Sequence, residues 1–296
     1  MKTIINIFVA LLFVISLVAG KKPTPDIPEA TVKRSFTIDS LGACQGLSFI
    51  NGKTYLYGDR EIGMIREFHR TKDSLRWTGK ELKLTIEGKD IINHPTGIAH
   101  QPGNDTVFIG NSTRLNKEGT LWKAEIFCVN WKGLLATGTL DGNIINTIDD
   151  DACIQGSRPE AIRYKDKWFV ATADYGNREN EVRLYDPVML KKSPKSSSPG
   201  VLFKKFKCGP WVQNLYWIPN KNGLVLVQNK IEGRQWRLSF LDLEKSINAG
   251  EQHIIRQYDF DKQDELEGFI LDEKRLSGIA VTSSRKENVH LLQFNP

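Results

Sequence analysis

One short pattern recurs five times along this chain of 296 residues. Each copy opens with a polar, a small and an apolar residue, and continues through a β-prone stretch, a turn and a second β-prone stretch. The five openings are Gln45-Gly46-Leu47, Thr96-Gly97-Ile98, Glu160-Ala161-Ile162, Gln213-Asn214-Leu215 and Glu267-Gly268-Phe269. Turn residues such as Asn51-Gly52 between two β-prone stretches are a strong short-range signal of a β-hairpin. The sequence therefore predicts five hairpins in a row.

The spacing of the hairpins predicts the architecture. The small residues of the five openings lie at 46, 97, 161, 214 and 268, so the steps between them are 51, 64, 53 and 54 residues. A third β-prone stretch follows each hairpin, and a fourth follows some of them, as in residues 82–88 and 253–260. Such periods, with several short strands per repeat, are typical of propeller blades. We predict an all-β propeller with five blades, or with six if residues 134–150 form a degenerate blade.

The two ends of the chain are predicted to meet in one blade. The fifth repeat reaches the last residue without a fourth strand, and residues 31–38 form a β-prone stretch near the other end. If residues 31–38 pair with residues 288–294, the ring closes and leaves no exposed edge between the first and last blades.

The chain resembles the β-propeller superfamily over nearly all of residues 31–296. The segment from Arg158 to Ile162 is also similar to the first residues of the blades in calcium-dependent lactonase and gluconolactonase-type propellers. That resemblance implies that an acidic residue at a strand start binds a metal ion. It also implies a hydrolase-like or lactonase-like activity with Ca²⁺ as the candidate cofactor.

The N-terminal residues predict export. Residues 1–20 combine Lys2, an apolar run over 4–18 and a small-residue end, as in a secretory signal peptide, with a retained anchor as the alternative. Residues 21–30 contain three prolines and are interpreted as a linker, which leaves residues 31–296 as one domain. We expect a secreted or periplasmic monomer with no membrane span after signal removal.

The charge of the chain restricts its partners. The formal net charge is +6, and residues 191–207 hold six lysines and no acid. This lysine-rich segment is either a solvated loop or a patch for acidic glycans or membranes. The chain is predicted to be exported and contains no recognisable nucleic-acid-binding module. We therefore expect that it binds no nucleic acid.

Polar residues are predicted to meet at one mouth of the central channel. The first strand of each blade lines the channel and the second returns to the same end, so the start of one meets the end of the other. The expected pairs are Gln45 with Asp59, Thr96 with Asn111, Glu160 with Asp174, Gln213 with Asn229, and Glu267 with Ser283. This mouth is interpreted as a ligand or cation site, or alternatively as a hydrated structural channel.

Within this mouth, three residues are the catalytic candidates: Glu160 and Asp174 as acid, base or metal ligand, and His94 as a second acid–base group. The candidate Ca²⁺ ligands are Glu160, Asp174 and Glu267, because Ca²⁺ prefers oxygen ligands. The remaining candidates are ligand-binding residues: Gln45, Asp59, Arg60, Asn111, Arg158, Trp211, Gln213, Asn229 and Ser283. Trp211 is interpreted as a stacking platform for a sugar ring or as packing between blades.

The loops after the second strands repeat a charged pattern. Each loop contains an arginine, and the five are Arg60, Arg114, Arg178, Arg234 and Arg285. These would favour an anionic ligand unless each pairs with the glutamate nearby, namely Glu61, Glu118, Glu179, Glu232 or Glu287.

The four cysteines have neither zinc-finger nor CxxC spacing. Export makes disulfides chemically accessible, and Cys153–Cys208 is the expected pair if one forms. Cys128 falls in a third strand and is expected to be a buried free thiol.

Two functions fit these patterns. One is an exported enzyme acting at the channel mouth on a small polar or anionic molecule or a sugar. The alternative is a non-catalytic propeller that binds a glycan or a protein. The sequence contains no G-x-S-x-G, H-E-x-x-H or EF-hand motif that would decide between them.

Overall fold

A computed structural model of the chain describes residues 29–295, which form five four-stranded sheets arranged as a ring. The chain begins with β1 (Ala30–Phe36). Blade 1 contains β2 (Cys44–Ile50), β3 (Lys53–Gly58), β4 (Met64–Arg70) and β5 (Leu75–Lys83), and the short pair β6 (Thr85–Ile86) and β7 (Lys89–Asp90) follows it. Blade 2 contains β8 (Pro95–His100), β9 (Thr106–Arg114), β10 (Trp122–Asn130), helix α1 (Trp131–Thr137) and β11 (Ile144–Asp149).

The remaining blades repeat this order. Blade 3 contains β12 (Glu160–Tyr164), β13 (Lys167–Ala173), β14 (Glu181–Tyr185), α2 (Pro187–Lys192) and β15 (Leu202–Lys207). Blade 4 contains β16 (Val212–Ile218), β17 (Gly223–Ile231), β18 (Arg234–Asp242), α3 (Leu243–Ala249) and β19 (Ile254–Phe260). Blade 5 contains β20 (Leu266–Asp272), β21 (Ser277–Thr282) and β22 (Val289–Phe294), completed by β1.

The five-bladed prediction is confirmed. The innermost strands β2, β8, β12, β16 and β20 contact one another in ring order and enclose the central channel. Residues 134–150 do not form a sixth blade, because they belong to α1 and to β11, the outer strand of blade 2. The outer strand of blade 1 is β5, so our placement of that strand at residues 82–88 was several residues too late.

The predicted closure of the ring is also confirmed. Strand β1 pairs antiparallel with β22, from Ala30 opposite Phe294 to Phe36 opposite Val289. The first and last strands of the described chain therefore share blade 5, which joins the two ends of the molecule without a covalent bond.

The hairpins form where the turn residues predict them. Asn51 and Gly52 both have positive φ, and so do Lys165 and Asp166 in blade 3. Two successive positive φ values are characteristic of the type I′ turn, whose twist matches that of the flanking strands.

The hydrophobic core lies between blades. Trp236 is fully buried, and its ring lies 4.8 Å from that of His290 in the neighbouring blade, so it packs between two blades. Trp122 differs, because its ring lies 4.9 Å from the guanidinium of Arg114, its cross-strand partner in the same blade.

The three helices occupy equivalent places between the third and fourth strands of blades 2, 3 and 4. An Asn or Asp at the end of the third strand caps each helix, and the three caps are Asn130, Asp186 and Asp242. The residues after each helix form a parallel bridge to the outer strand of the preceding blade, as between Lys207 and Glu251. The helices therefore help to hold successive blades together.

No helix within residues 29–295 is long and apolar enough to cross a membrane. The predicted signal peptide, residues 1–20, and most of the predicted linker lie outside the described residues.

Candidate functional site

The repeated sequence opening produces a β-bulge in four blades. The pairing of the first two strands shifts by one residue around Gln45, Thr96, Gln213 and Glu267. Each of these polar residues is thus the extra residue of a bulge at the start of an inner strand. A bulge re-aims a side chain and is common beside functional sites. We call this end of the channel the first mouth, and the end where the hairpins turn the second mouth.

Blades 1 and 2 are joined at the first mouth through Asp59. Its Oδ2 accepts hydrogen bonds from His94 Nδ1 at 2.8 Å and from Gln45 Nε2 at 3.4 Å. All three residues were predicted site residues, and the structure brings them together from two different blades.

Arg158 connects blades 3 and 4 and is 4% exposed. Its Nη1 donates to the Gly156 carbonyl at 2.6 Å, and its Nη2 donates to Gln213 Oε1 at 3.1 Å. Burial lowers the pKa of the guanidinium, whereas the nearby carboxylates of Asp174 and Glu267 raise it. Arginine remains charged under these opposing effects. Arg158 Nε is buried and has no hydrogen-bond partner within residues 29–295.

Two glutamates of blade 5 lie beside this cation. Glu265 Oε1 accepts hydrogen bonds from Gln213 Nε2 at 2.6 Å and from Tyr175 Oη at 3.0 Å. Glu267 is 3% exposed, and burial together with the charge of Glu265 raises its pKa well above the ordinary glutamate value. A buried carboxyl group with a raised pKa thus lies near a second carboxyl group, an arrangement suited to general acid–base chemistry.

Two aromatic rings border the pair of glutamates. Tyr175 and Trp211 have ring centroids 5.2 Å apart, and the Arg158 guanidinium lies 5.5 Å from the centroid of the Tyr175 ring. Trp211 has a φ of 57°, which is uncommon for a bulky residue. Backbone strain of this kind is concentrated at functional sites. Trp211 is partly exposed, so its ring is available to a ligand.

A polar groove of about 530 Å³ adjoins the first mouth between blades 5 and 1. It is lined by Asp59 together with Arg60, Glu61 and Arg285. Two of the predicted loop arginines therefore share one groove. Among residues 29–295, none of the five loop arginines forms an ion pair within 4.0 Å of its neighbouring glutamate, so the predicted local neutralisation is not seen.

The predicted meeting of Glu160 with Asp174 is wrong. Glu160 pairs across the hairpin with Ala171, whereas Asp174 lies opposite Ser157. Three residues separate the two positions along the strands, a distance of about 10 Å. The cause is that blade 3 lacks the bulge of the other four blades, so its opening is displaced relative to theirs.

Asp174 instead fixes a loop at the first mouth. Its carboxylate accepts hydrogen bonds from the backbone N–H groups of Ile154 and Gln155 at 2.9 and 2.8 Å. Burial raises its pKa, and these hydrogen bonds and the Arg158 charge oppose that rise.

The predicted Ca²⁺ ligand set is not assembled. Glu160 lines a cavity at the second mouth, whereas Asp174 and Glu267 lie near Arg158 at the first mouth. Within the described part of the chain, no group of three or more His, Cys, Asp or Glu residues is placed to hold a metal ion. Calcium binding as such stays a prediction.

Three predicted ligand-binding residues hold the backbone of the mouth. Asn111 Oδ1 accepts from the His94 backbone N–H at 3.0 Å, and Asn229 Oδ1 accepts from that of Leu266 at 3.1 Å. The Ser283 N–H donates to the Glu265 carbonyl at 3.1 Å. These residues position the segments that carry His94 and the glutamate pair.

Sequence reasoning missed Glu265 and Tyr175. Glu265 lies two residues before Glu267, and the strand period of two was the available signal that both face the channel mouth. Tyr175 directly follows the predicted residue Asp174, but nothing in the sequence indicated that its hydroxyl group reaches blade 5.

All four thiols are free, so Cys153 and Cys208, named as the pair if a disulfide forms, are not joined. Arg183 Nη1 donates a hydrogen bond to Cys153 Sγ at 3.5 Å. Burial raises the pKa of Cys208, and the positive charge of Arg183 partly opposes that rise. Cys128 is a buried free thiol, as predicted, and burial raises its pKa to about 11. A thiol with such a pKa is a poor nucleophile at neutral pH.

Comparison with solved structures finds a glutaminyl cyclase from Myxococcus xanthus, with a TM-score of 0.55 and 11% sequence identity. The match covers 90% of this chain and 97% of that one. Hydrazine synthase from Kuenenia stuttgartiensis matches with a TM-score of 0.45 and 10% identity, over 83% of this chain and 57% of that one. No protein-family model and no curated protein sequence matches. The likeness to the Myxococcus protein supports the β-propeller fold and, at this identity, shows the fold alone.

Proposed function

We propose that the first mouth binds a small polar molecule and that Glu265 and Glu267 act on it as base and acid. One observation carries this proposal: the pKa of a buried glutamate, Glu267, is raised by burial and by the charge of a second glutamate, Glu265, beside a buried arginine. Burying such groups costs free energy, and strongly perturbed titratable groups at a channel mouth are typical of functional sites.

The pair suits hydrolysis of an ester or a lactone. Glu265 removes a proton from water, the water oxygen bonds to the substrate carbonyl carbon, and Glu267 donates its proton to the departing oxygen as the old C–O bond breaks. Proton transfer from Glu265 back to Glu267 then restores the starting state. Arg158 contributes positive charge close to the oxygen on which negative charge develops.

The surroundings favour a polar substrate with an anionic group or a sugar ring. Arg60 and Arg285 line the adjoining groove and suit a carboxylate or phosphate. Trp211 and Tyr175 offer aromatic faces to a sugar ring.

Export and calcium assistance belong to this proposal as well. The N-terminal residues support export, and the lactonase resemblance supports calcium. A thermal-shift experiment with Ca²⁺ and with a chelator tests the second point, because an ion that binds the folded state raises the melting temperature.

The second candidate is a non-catalytic glycan-binding propeller. The close pair of Trp211 and Tyr175 favours it, since stacking on a sugar needs no acid–base chemistry. Saturable glycan binding without turnover of any substrate would support this candidate over the enzyme.

A substrate panel tests the enzymatic proposal. It contains lactones, esters and sugar conjugates, together with N-terminal glutaminyl peptides, because a propeller of this fold is named a glutaminyl cyclase. For a substrate that is turned over, we expect Glu267→Gln and Glu265→Gln each to lower kcat/KM by about 100-fold or more. Glu244→Gln, at an exposed site on α3, is the matched control. Turnover that survives both mouth substitutions would overturn the acid–base assignment.

A further inference from the structure

The channel is divided by one side chain. Tyr57 projects from β3 across Gly46, and a Cβ atom at Gly46 would lie 2.5 Å from the Tyr57 ring. On the far side of the channel, the Tyr57 hydroxyl accepts a hydrogen bond from Asn214 Nδ2 of blade 4 at 2.8 Å. The buried ring therefore separates the first mouth from the second.

A separate cavity of about 150 Å³ lies at the second mouth. Residues of four inner strands line it, among them Phe49 of β2, His100 of β8, Glu160 of β12 and Trp217 of β16. Phe49 is 55% exposed, a high value for a phenylalanine at the end of an inner strand. The cavity thus combines an acidic side chain with an aromatic wall that is open to solvent.

Glu160 lacks a positive partner in this cavity. Burial raises the pKa of Glu160 well above the ordinary value, and the nearby Trp217 backbone N–H partly opposes that rise. Within residues 29–295, no charged side chain contributes to that shift. A carboxylate in this place would be stabilised by a cation supplied from outside.

The other titratable groups around the cavity do not supply that cation. Burial lowers the pKa of His100, whose Nε2–H donates to the Asn104 carbonyl at 3.0 Å, so the ring is neutral at pH 7. Burial also raises the pKa values of Tyr57 and Tyr216, so both phenols keep their protons.

We propose that the second mouth binds a small organic cation, such as a primary or quaternary amine, whose charge pairs with Glu160 and whose apolar part contacts Phe49 and Trp217. Ammonium groups are attracted both to carboxylates and to aromatic faces. The cavity volume restricts the ligand to a few non-hydrogen atoms, because drug-sized ligands occupy about 300 Å³ or more. This site is independent of the glutamate pair at the first mouth.

Isothermal titration calorimetry with propylammonium chloride tests the proposal, with 1-propanol as the neutral isostere. We expect the wild-type protein and Glu244→Gln to bind one propylammonium ion each, and 1-propanol to bind at least about tenfold more weakly. Because binding ionises Glu160, titrations in two buffers of different ionisation enthalpy should show protons released on binding. Affinity should therefore rise with pH until Glu160 is ionised in the free protein.

Two substitutions locate the site. Glu160→Gln should weaken propylammonium binding by about tenfold or more, since the charge partner is lost. Phe49→Ala should weaken it by several-fold, and because Phe49 is largely exposed, this variant keeps the proposal testable if Glu160→Gln fails to fold. Absence of binding to the wild type, or equal binding to Glu160→Gln, would overturn the proposal. Loss of binding in Glu267→Gln alone would do so too, by placing the cation at the first mouth.

Discussion

At the scale of single residues, the first mouth depends on groups that are costly to bury. Arg158, Glu267 and Asp174 are all less than one-tenth exposed, and each is held by hydrogen bonds or charges from a neighbouring segment. Sequence reasoning named these three residues, because each lies at a strand start or end. It could not give their protonation states, which depend on burial and on partners from other blades.

The raised pKa of Glu267 gives an expected pH dependence of stability. The folded state holds this proton more tightly than the unfolded chain does. The free energy of unfolding therefore falls as pH rises from the unfolded-state value of about 4.3 towards the raised folded-state pKa. Glu267→Gln removes this loss, so its melting temperature should exceed that of the wild type near neutral pH and approach it near pH 4. Melting curves across this pH range check the sign of the difference in melting temperature between the variant and the wild type. A Glu267→Gln variant that is less stable than the wild type at every pH would contradict the raised pKa of Glu267.

Gly46 gives a second expectation at the residue scale. Its φ is 148°, and a Cβ atom there would meet the Tyr57 ring at 2.5 Å. Gly46→Ala should therefore lower the free energy of unfolding by about 1–3 kcal/mol. Gly79→Ala is the matched control, since Gly79 also has positive φ but a Cβ atom there would meet nothing within 4 Å. Urea unfolding measures the decrease in the free energy of unfolding for each variant. Equal decreases would mean that the Tyr57 ring does not contact Gly46 closely.

At the scale of strands and hairpins, the sequence predicted most elements but not their register. Turn residues such as Asn51 and Gly52, with a β-prone stretch on either side, were sufficient to locate the hairpins. The bulges were not predictable, because an inserted residue leaves the same local composition while it moves every later side chain to the other face. Blade 3 alone has no bulge among the five inner hairpins, and for that reason Glu160 was assigned to the wrong part of the channel.

The pairing of β1 with β22 is the element on which closure of the ring depends. Deletion of residues 31–38 should expose the edge of β22 and cause aggregation, since an unpaired strand edge pairs with other chains. Size-exclusion chromatography and thermal melting of the truncated protein check this expectation. A truncated protein that remains monomeric with an unchanged melting temperature would contradict closure through β1.

At the scale of the whole molecule, the ring brings together residues that are far apart in the sequence. The first mouth takes Asp59 from blade 1, His94 from blade 2, Arg158 from blade 3, Gln213 from blade 4 and Glu267 from blade 5. The five-fold repeat made the shared mouth predictable. The division of the channel by Tyr57 was not predictable, because it depends on one contact with Asn214 across 157 residues.

Neutron diffraction from a deuterium-exchanged crystal near neutral pH tests the central claim most directly, because it locates the deuterons on carboxyl groups. We expect a deuteron on the Glu267 carboxyl group and none on Glu265, whose Oε1 accepts hydrogen bonds from Gln213 and Tyr175. Density for two ionised glutamates, or for a deuteron on Glu265 alone, would contradict the assignment of a neutral acid beside a base at the first mouth.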